Sequence, residues 1–454
     1  MKIILLSGGA GKRLWPFSND TYSKHFLKFL KNNSTNVAES MLQRNWNNLA
    51  KLNLTPDTFI ASNSAQSKLI RKQLNDNVNL IIEPSRRDTF PCIALVCSYL
   101  YSVLNVSLDE NIIISPIDAY VDSDYFKMFS QISQTLDTSN YNLVLLGITP
   151  TFASSKYGYI VKDSKTLNVN SFVEKPDEAV ASNLIANGAL WNCGVFGFKL
   201  KYMIKHLMQK NIPINYSMLF NNYNNLPKIS FDYQIVEKEQ NIGVIPYNGL
   251  WKDIGTWDEL SSVLDKNIYG NGILHNCSKT HLINNLDIPV AGVGLSDIII
   301  SASNDGILIS NKSDSTKIKD IVNSFSERPM FEEKCWGYYN VISKAKYNDY
   351  EILVKKLHLE KGKNISYQKH FKRAEIWTIV NGCGTLVLND TIRSVKTGDT
   401  INIAIGDKHC IYADTDLDII EIQTGTVLKE EDIVRLEDRW NEILEYAKGI
   451  LNEI

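Results

Sequence analysis

Apolar and polar positions alternate in two different ways along this chain. Up to about residue 262, short and wholly apolar runs are separated by stretches of helical periodicity. Ile3–Leu6 is such a run, closed by glycines, as a strand buried on both faces requires. Met41, Leu42, Trp46 and Leu49 recur at helical spacing within 40–49. Residues 58–61 then read as a strand, 65–74 as a helix, and 79–82, 111–117 and 143–146 as further strands. Strands alternating with helices predict an α/β unit with a parallel, doubly wound sheet, and ligands at the carboxyl ends of its strands. Residues 263–322 read as a connecting region, a spacer or subunit contact, within which 271–308 alternates apolar with polar positions and predicts small β structure; 323–328 is a polar linker. From Met330 the runs at 351–359, 377–380, 385–388 and 419–423 are short and β-rich with glycine turns between them, which predicts a jelly-roll barrel. Ile433, Leu436, Trp440, Ile443, Leu444, Ala447 and Ile450 share one helical face, so 430–454 is expected as a terminal amphipathic helix. The boundaries are therefore 1–262, 263–328 and 329–454.

Composition narrows the class. At 454 residues the chain exceeds one ordinary core. Hydrophobic residues at 44% and charged residues at 22% describe a soluble globular protein, and a net charge of −2 offers no footprint for nucleic acid. No apolar run approaches the roughly 18 residues of a membrane span. The chain opens on a strand with no signal-peptide pattern, and seven scattered cysteines form no CxxC pair. Free thiols and a cytoplasmic location are expected.

The candidate chemistry begins after the first strand. Ser7, Gly8, Gly9 and Gly11 make a loop whose peptide N–H groups can converge on an anion with no Cβ in the way. Lys12, Arg13 and Lys24 bring fixed positive charge beside it. A P-loop is excluded, because Leu6 stands where its first glycine belongs and Arg13 where its Ser or Thr belongs. The dinucleotide fingerprint fails as well, with Leu14 at its third glycine. Two further strand ends carry charge. Glu83-Pro84-Ser85-Arg86-Arg87 follows 79–82, as a nucleotide contact or a solvated turn. Asp118 follows 111–117, as a Mg²⁺ ligand or a helix N-cap.

The stretch GGAGKRLWP with Lys24 downstream resembles the signature of sugar-nucleotide pyrophosphorylases, in their mannose-1-phosphate guanylyltransferase branch. Ser23 and His25 stand where that family has proline and glutamine around the lysine. The resemblance implies a Rossmann-like, GT-A-like nucleotidyltransferase domain in which Arg13 and Lys24 steady the triphosphate and Glu83 and Arg87 lie near the nucleotide. It implies Asp118 and Asp253 (in Trp251-Lys252-Asp253-Ile254-Gly255-Thr256-Trp257) as Mg²⁺ ligands. On the sugar side it implies Gly158, Glu174 and Lys175 (in Phe-Val-Glu-Lys-Pro), Asn192 (in Trp-Asn-Cys-Gly, with Cys193 for serine) and Asp232. Chemically, Glu174 can accept from sugar hydroxyls and Lys175 can neutralise the sugar phosphate.

In the barrel, Gly362, Gln368, His370, Glu375 and Gly382 follow the spacing of the first cupin motif. Gly398, Ala404, Gly406 and His409 follow the second, with Ala404 in place of proline. Gln368, His370, Glu375 and His409 are thus candidate ligands for Zn²⁺, Mn²⁺ or Fe²⁺. Residues 334–338, 368–375 and 420–425 resemble the type II mannose-6-phosphate isomerase domain, with Cys335, Lys372 and Ile376 as departures and Arg373 as a candidate holder of phosphate or enediolate. Together the resemblances imply GTP, mannose 1-phosphate and mannose 6-phosphate as substrates of a bifunctional cytoplasmic enzyme, expected as a homodimer. The alternatives are a guanylyltransferase for another sugar 1-phosphate, such as a manno-heptose, with a silent barrel, and a sugar-nucleotide-sensing protein.

Overall fold

A computed structural model describes residues 1–8, 11–19, 22–32, 35–75, 77–325 and 328–449. Two compact units emerge. The first comprises Met1–Asn267 with Asp297–Ile299 and Ser310–Lys319; the second takes Ile268–Ser296, Ile300–Ile309 and the chain from Asp320.

The first unit is built on a nine-stranded sheet. Its centre is β1 (Lys2–Leu6), paired in parallel with β2 (Thr58–Asn63) on one side. Beyond β2 lies β3 (Asn79–Glu83), and on the other side of β1 lies β4 (Asn111–Pro116), both parallel. The apolar run in β1 has a direct cause. Ile4 points into the layer formed with Ile112, Ile114 and the helix Thr89–Ser102, while Ile3 and Leu5 point into the opposite layer with Ile113, Phe126 and Phe129. A strand covered on both faces has no position for a polar side chain. The helix Met41–Lys51 starts at a capping box, in which Ser40 and Gln43 satisfy each other's backbone N–H groups.

The sheet is mixed rather than parallel throughout. Leu190–Lys199 enters antiparallel to both β4 and Leu143–Ile148, so the parallel expectation holds for β3-β2-β1-β4 and for Leu143–Ile148 with Ile242–Tyr247. The glycine loop and Asp118 follow carboxyl ends of parallel strands, and Glu83 is the last residue of β3, where α/β sheets bind ligands.

The second unit opens with short strands, of which Ile268–Tyr269 pairs in parallel with His281–Asn284, and Gly272–His275 in parallel with Val290–Val293. Its barrel has a six-stranded and a five-stranded sheet around Trp377, Leu386, Ile411 and Ile419. The terminal helix is shorter than the sequence suggested. Residues 433–437 form a strand paired with Tyr367–His370, and the helix runs only over Trp440–Ala447. Ile433 and Leu436 fit a helical face, but pairing of the Tyr367–His370 edge overrode that preference. Ile450 lies outside the described residues. No described helix is long and apolar enough to cross a membrane.

Candidate active sites

The glycine loop is held from below and from the side. Ser7 Oγ and His25 Nε2 lie 3.0 Å apart, both buried. Ser18 donates its hydroxyl to Gly11 O, and Trp257 donates its indole N–H to Trp15 O at 2.9 Å. Gly11 must be glycine, because a Cβ there would stand 2.9 Å from the backbone nitrogen of Lys24. The loop's close approach fixes where Lys24 leaves the chain.

Lys24 Nζ is 2.7 Å from Asp118 Oδ2 and 3.3 Å from Asp253 Oδ1. The two acids are brought together by a small antiparallel ladder in which Asp253 is opposite Ala119, the neighbour of Asp118. Asp118 is not a helix cap; the following helix, Ser123–Thr138, is capped by Asp122. Burial disfavours the charge on both acids, yet Lys24 holds the Asp118 carboxyl below the usual range, while burial leaves Asp253 above it. Burial also opposes the Lys24 charge, but the two carboxylates overcome it and raise the pKa. Two carboxylates converging on one ammonium are suited to a divalent cation at the same point.

Gly8, Gly11, Arg13, Lys24, Asp118 and Gly255 line one cleft of about 250 Å³. Glu83 and Arg87 do not line it: Glu83 is buried and accepts from Tyr223 Oη at 2.9 Å, and Arg87 Nη1 donates to Leu226 O at 2.8 Å. Burial raises the Glu83 pKa. Gly9 lies outside the described residues, and Lys12 opens the helical turn Lys12–Leu14.

The sugar-side candidates do meet. Asn192 N–H donates to Gly158 O at 2.8 Å, and Asn192 Nδ2 to Asp232 Oδ1 at 2.7 Å. Glu174 packs over Gly158 so closely that a Cβ there would stand 2.4 Å from Glu174 Oε2. Lys175 pairs with Glu174 at 2.8 Å from a left-handed backbone, φ 46°. Burial pushes the Asp232 carboxyl up to about 6.

The barrel holds the second constellation. His370, Glu375 and His409 are fully buried and place one ligand atom each within 4.8 Å of one another. His370 Nε2 is 3.1 Å from Glu375 Oε1, and His409 Nε2 is 3.7 Å from Glu375 Oε2. Among the described residues, His370 Nδ1 and His409 Nε2 are buried with no hydrogen-bond partner, which leaves both nitrogens available to a further ligand. Gln368 is opposite His409 across the ladder, its amide oxygen accepting from Ser366 Oγ at 2.8 Å. Burial would raise the Glu375 pKa; His370, His409 and Arg373 together hold it far below the carboxylate range. Arg373 is committed locally, with Nε on Glu375 at 3.0 Å and Nη1 on Lys429 O at 2.9 Å.

Sequence reasoning missed the shell behind these ligands. Gln423 Nε2 donates to Glu375 Oε1 at 3.0 Å, and Trp377 Nε1 to Glu375 Oε2 at 3.1 Å. Buried Lys355 pairs with Glu421 at 3.2 Å in the neighbouring row. The available signal was polar residues at the inward positions of Leu417–Gly425, whose alternate positions Leu417, Ile419, Glu421, Gln423 and Gly425 are all buried.

The family model described as Nucleotidyl transferase matches residues 2–268, well over half of the chain. The chain belongs to the nucleotidyl transferase family. Residues 327–438 match a second model, described as Mannose-6-phosphate isomerase C-terminal. Mannose-1-phosphate guanylyltransferase RfbM of Salmonella typhimurium is 29% identical over 96% of each chain. Alginate biosynthesis protein AlgA of Pseudomonas fluorescens is 26% identical over 98% of each. A crystal structure described as mannose-1-phosphate geranyltransferase from Thermus thermophilus superposes with a TM-score of 0.60 at 26% identity, covering 72% of this chain and 99% of that one. This nucleotidyl transferase therefore shares its two-part layout with full-length relatives.

Proposed function

We propose that residues 1–262 transfer GMP from GTP to mannose 1-phosphate, giving GDP-mannose and pyrophosphate. Residues 263–328 act as a spacer, and 329–454 interconvert mannose 6-phosphate and fructose 6-phosphate. The observation that carries the first part is the convergence of Asp118 and Asp253 on Lys24 beside the glycine loop.

In this reading a phosphate oxygen of mannose 1-phosphate attacks the α-phosphorus of GTP. The new P–O bond forms as the α–β bridging bond breaks, and its electron pair leaves with pyrophosphate. Little covalent work falls to the protein, so positioning and charge neutralisation are the catalysis. Gly8, Gly9 and Gly11 give peptide N–H groups to the phosphates, with Lys12 beside them, while Ser7, whose own N–H is donated to Ala61 O at 2.9 Å, anchors the start of the loop. Arg13 and Lys24 hold the phosphates in line, and Glu83 and Arg87 support the base side. Asp118 and Asp253 would hold Mg²⁺, which supplies charge for both phosphate groups. Glu174 and the Asn192–Asp232 pair orient the sugar hydroxyls over Gly158, and Lys175 reaches the sugar phosphate.

In the barrel, His370, Glu375 and His409, with Gln368, would hold a Zn²⁺, Mn²⁺ or Fe²⁺ ion that polarises the sugar oxygens. Arg373 helps His370 and His409 keep Glu375 ionised and stands next to the site as the cation for phosphate or enediolate. The seven free cysteines support a reducing, cytoplasmic setting. The exposed Ile307 and Ile309 of the strand Gly306–Asn311 support a homodimer that covers them.

Pyrophosphate release measured with GTP, ATP and CTP against several sugar 1-phosphates tests the transfer. Efficient reaction only with another sugar 1-phosphate would refute the mannose assignment. Conversion of mannose 6-phosphate with and without chelator tests the barrel, and no conversion with any of the three metals would leave it silent.

A further inference from the structure

Lys319 lines the same cleft as Gly8, Gly11, Arg13 and Lys24. It arrives there with Ser310–Lys319, a segment that rejoins the first unit after the short strands that open the second. The segment is anchored. Lys312 N–H donates to Asp297 O at 3.0 Å, the helical turn Lys312–Lys317 packs against the helix Trp257–Ser261, and Ser315 and Ile318 are buried. The Trp257 indole is the group that braces the glycine loop at Trp15 O. Lys319 thus follows a buried residue of a segment packed on the loop's own support, while its side chain remains exposed.

We propose that Lys319 binds the β- and γ-phosphates of the nucleotide, and the pyrophosphate they become, a role that rests on the transfer reading above. Charge supports it. Lys24 is shared between Asp118 and Asp253. Among the described residues, Arg13 and Lys319 are the cleft-lining cations without a carboxylate partner. A magnesium-bound triphosphate is still anionic, and negative charge grows on the pyrophosphate oxygen as the α–β bond breaks. A flexible ammonium at the rim meets that charge without exchanging a proton and can follow the product as it leaves.

Full-length Lys319→Ala, Lys319→Met and Lys319→Arg variants test this, with Lys317→Ala as a control. Lys317 is an exposed neighbour paired with Asp314. We expect Lys319→Ala and Lys319→Met to raise KM for GTP, and KM for pyrophosphate in the reverse direction, by about 10-fold, as loss of a charge-assisted contact does. KM for mannose 1-phosphate stays constant, Lys319→Arg recovers most of the loss, and Lys317→Ala matches the wild type. Titration of magnesium pyrophosphate alone should show the same weakening, with a shallower dependence on salt. Unchanged GTP and pyrophosphate constants in an active enzyme would overturn the proposal, as would a rise confined to mannose 1-phosphate. A wild type that transfers no nucleotide, yet binds pyrophosphate more weakly once Lys319 is removed, would sink the transfer reading and leave this site standing.

Discussion

Lys24 Nζ lies 2.7 Å from Asp118 Oδ2, in a site that also draws Asp253 to within 3.3 Å. Two mostly buried carboxylates so close would repel strongly without an intervening cation. The ammonium gives the site its shape, so that the acids are already together when nucleotide and metal arrive. Electrostatic catalysis depends on such pre-positioning, because little reorganisation is then needed during the reaction.

Gly11→Ala should damage catalysis more than stability. The added Cβ meets the backbone nitrogen of Lys24 at 2.9 Å, and a shift of that backbone carries the ammonium with it, away from its acids. A displacement of this kind is worth about 100-fold in rate. Steady-state kinetics beside a thermal unfolding curve will check it; a variant that keeps kcat but unfolds early would assign the glycine to folding alone.

His25 should set a pH dependence of stability. Burial pushes its imidazole down to about 4, with Lys24 acting in the same direction and Asp118 against it. The folded pKa lies below the unfolded value of 6.5, so the stabilising preference for the neutral ring is complete above about 6.5 and is lost as pH falls towards 4. The loss amounts to about 3 kcal/mol at the acid end. Denaturant unfolding without added metal, at several pH values, should show the wild type losing more stability over this interval than His25→Gln. Parallel profiles would mean that the ring does not titrate as its surroundings indicate.

Asp232 should tie sugar binding to pH. Burial holds its carboxyl up at about 6, and its charged form accepts from Asn192. KM for the sugar phosphate is expected to rise as pH falls through 6, and Asp232→Asn should flatten that part of the profile. Identical slopes for the two proteins would remove Asp232 from the sugar site.

Metal binding in the barrel should depend on the residues behind the ligands. Gln423→Leu removes the amide donor from Glu375 Oε1 and should weaken metal affinity by about 10- to 100-fold. Glu375→Gln should abolish binding and isomerisation while nucleotide transfer persists. Bound metal per chain after dialysis reads both out, and wild-type metal content in Glu375→Gln would place the metal elsewhere.

The parts of this fold legible in the sequence are those where burial leaves one choice. β1 is apolar through Ile3–Leu6 because both faces are covered, and the loop after it is glycine where the Lys24 backbone presses on it. Asp118 could be read as a cap or as a ligand until Asp122 took the cap. The 433–437 strand was unreadable because Ile433 and Leu436 suit a helix as well as a strand, and only the Tyr367–His370 edge decides between them. Lys355, Glu421 and Gln423 escaped notice for a related reason. Alternation shows that a strand has two faces, but a polar residue reads as outward until its neighbours Leu417 and Ile419 are seen to face inward.

Joint turnover of the wild type, Lys24→Ala and Asp253→Ala, followed as GDP-mannose and pyrophosphate formed from GTP and mannose 1-phosphate, is the most direct measurement. The wild type should yield the two products in equal amounts, and each variant should fall by about 100-fold or more, as loss of one transition-state contact does. Near-normal rates in either variant, or GTP consumed without sugar nucleotide appearing, would contradict the account.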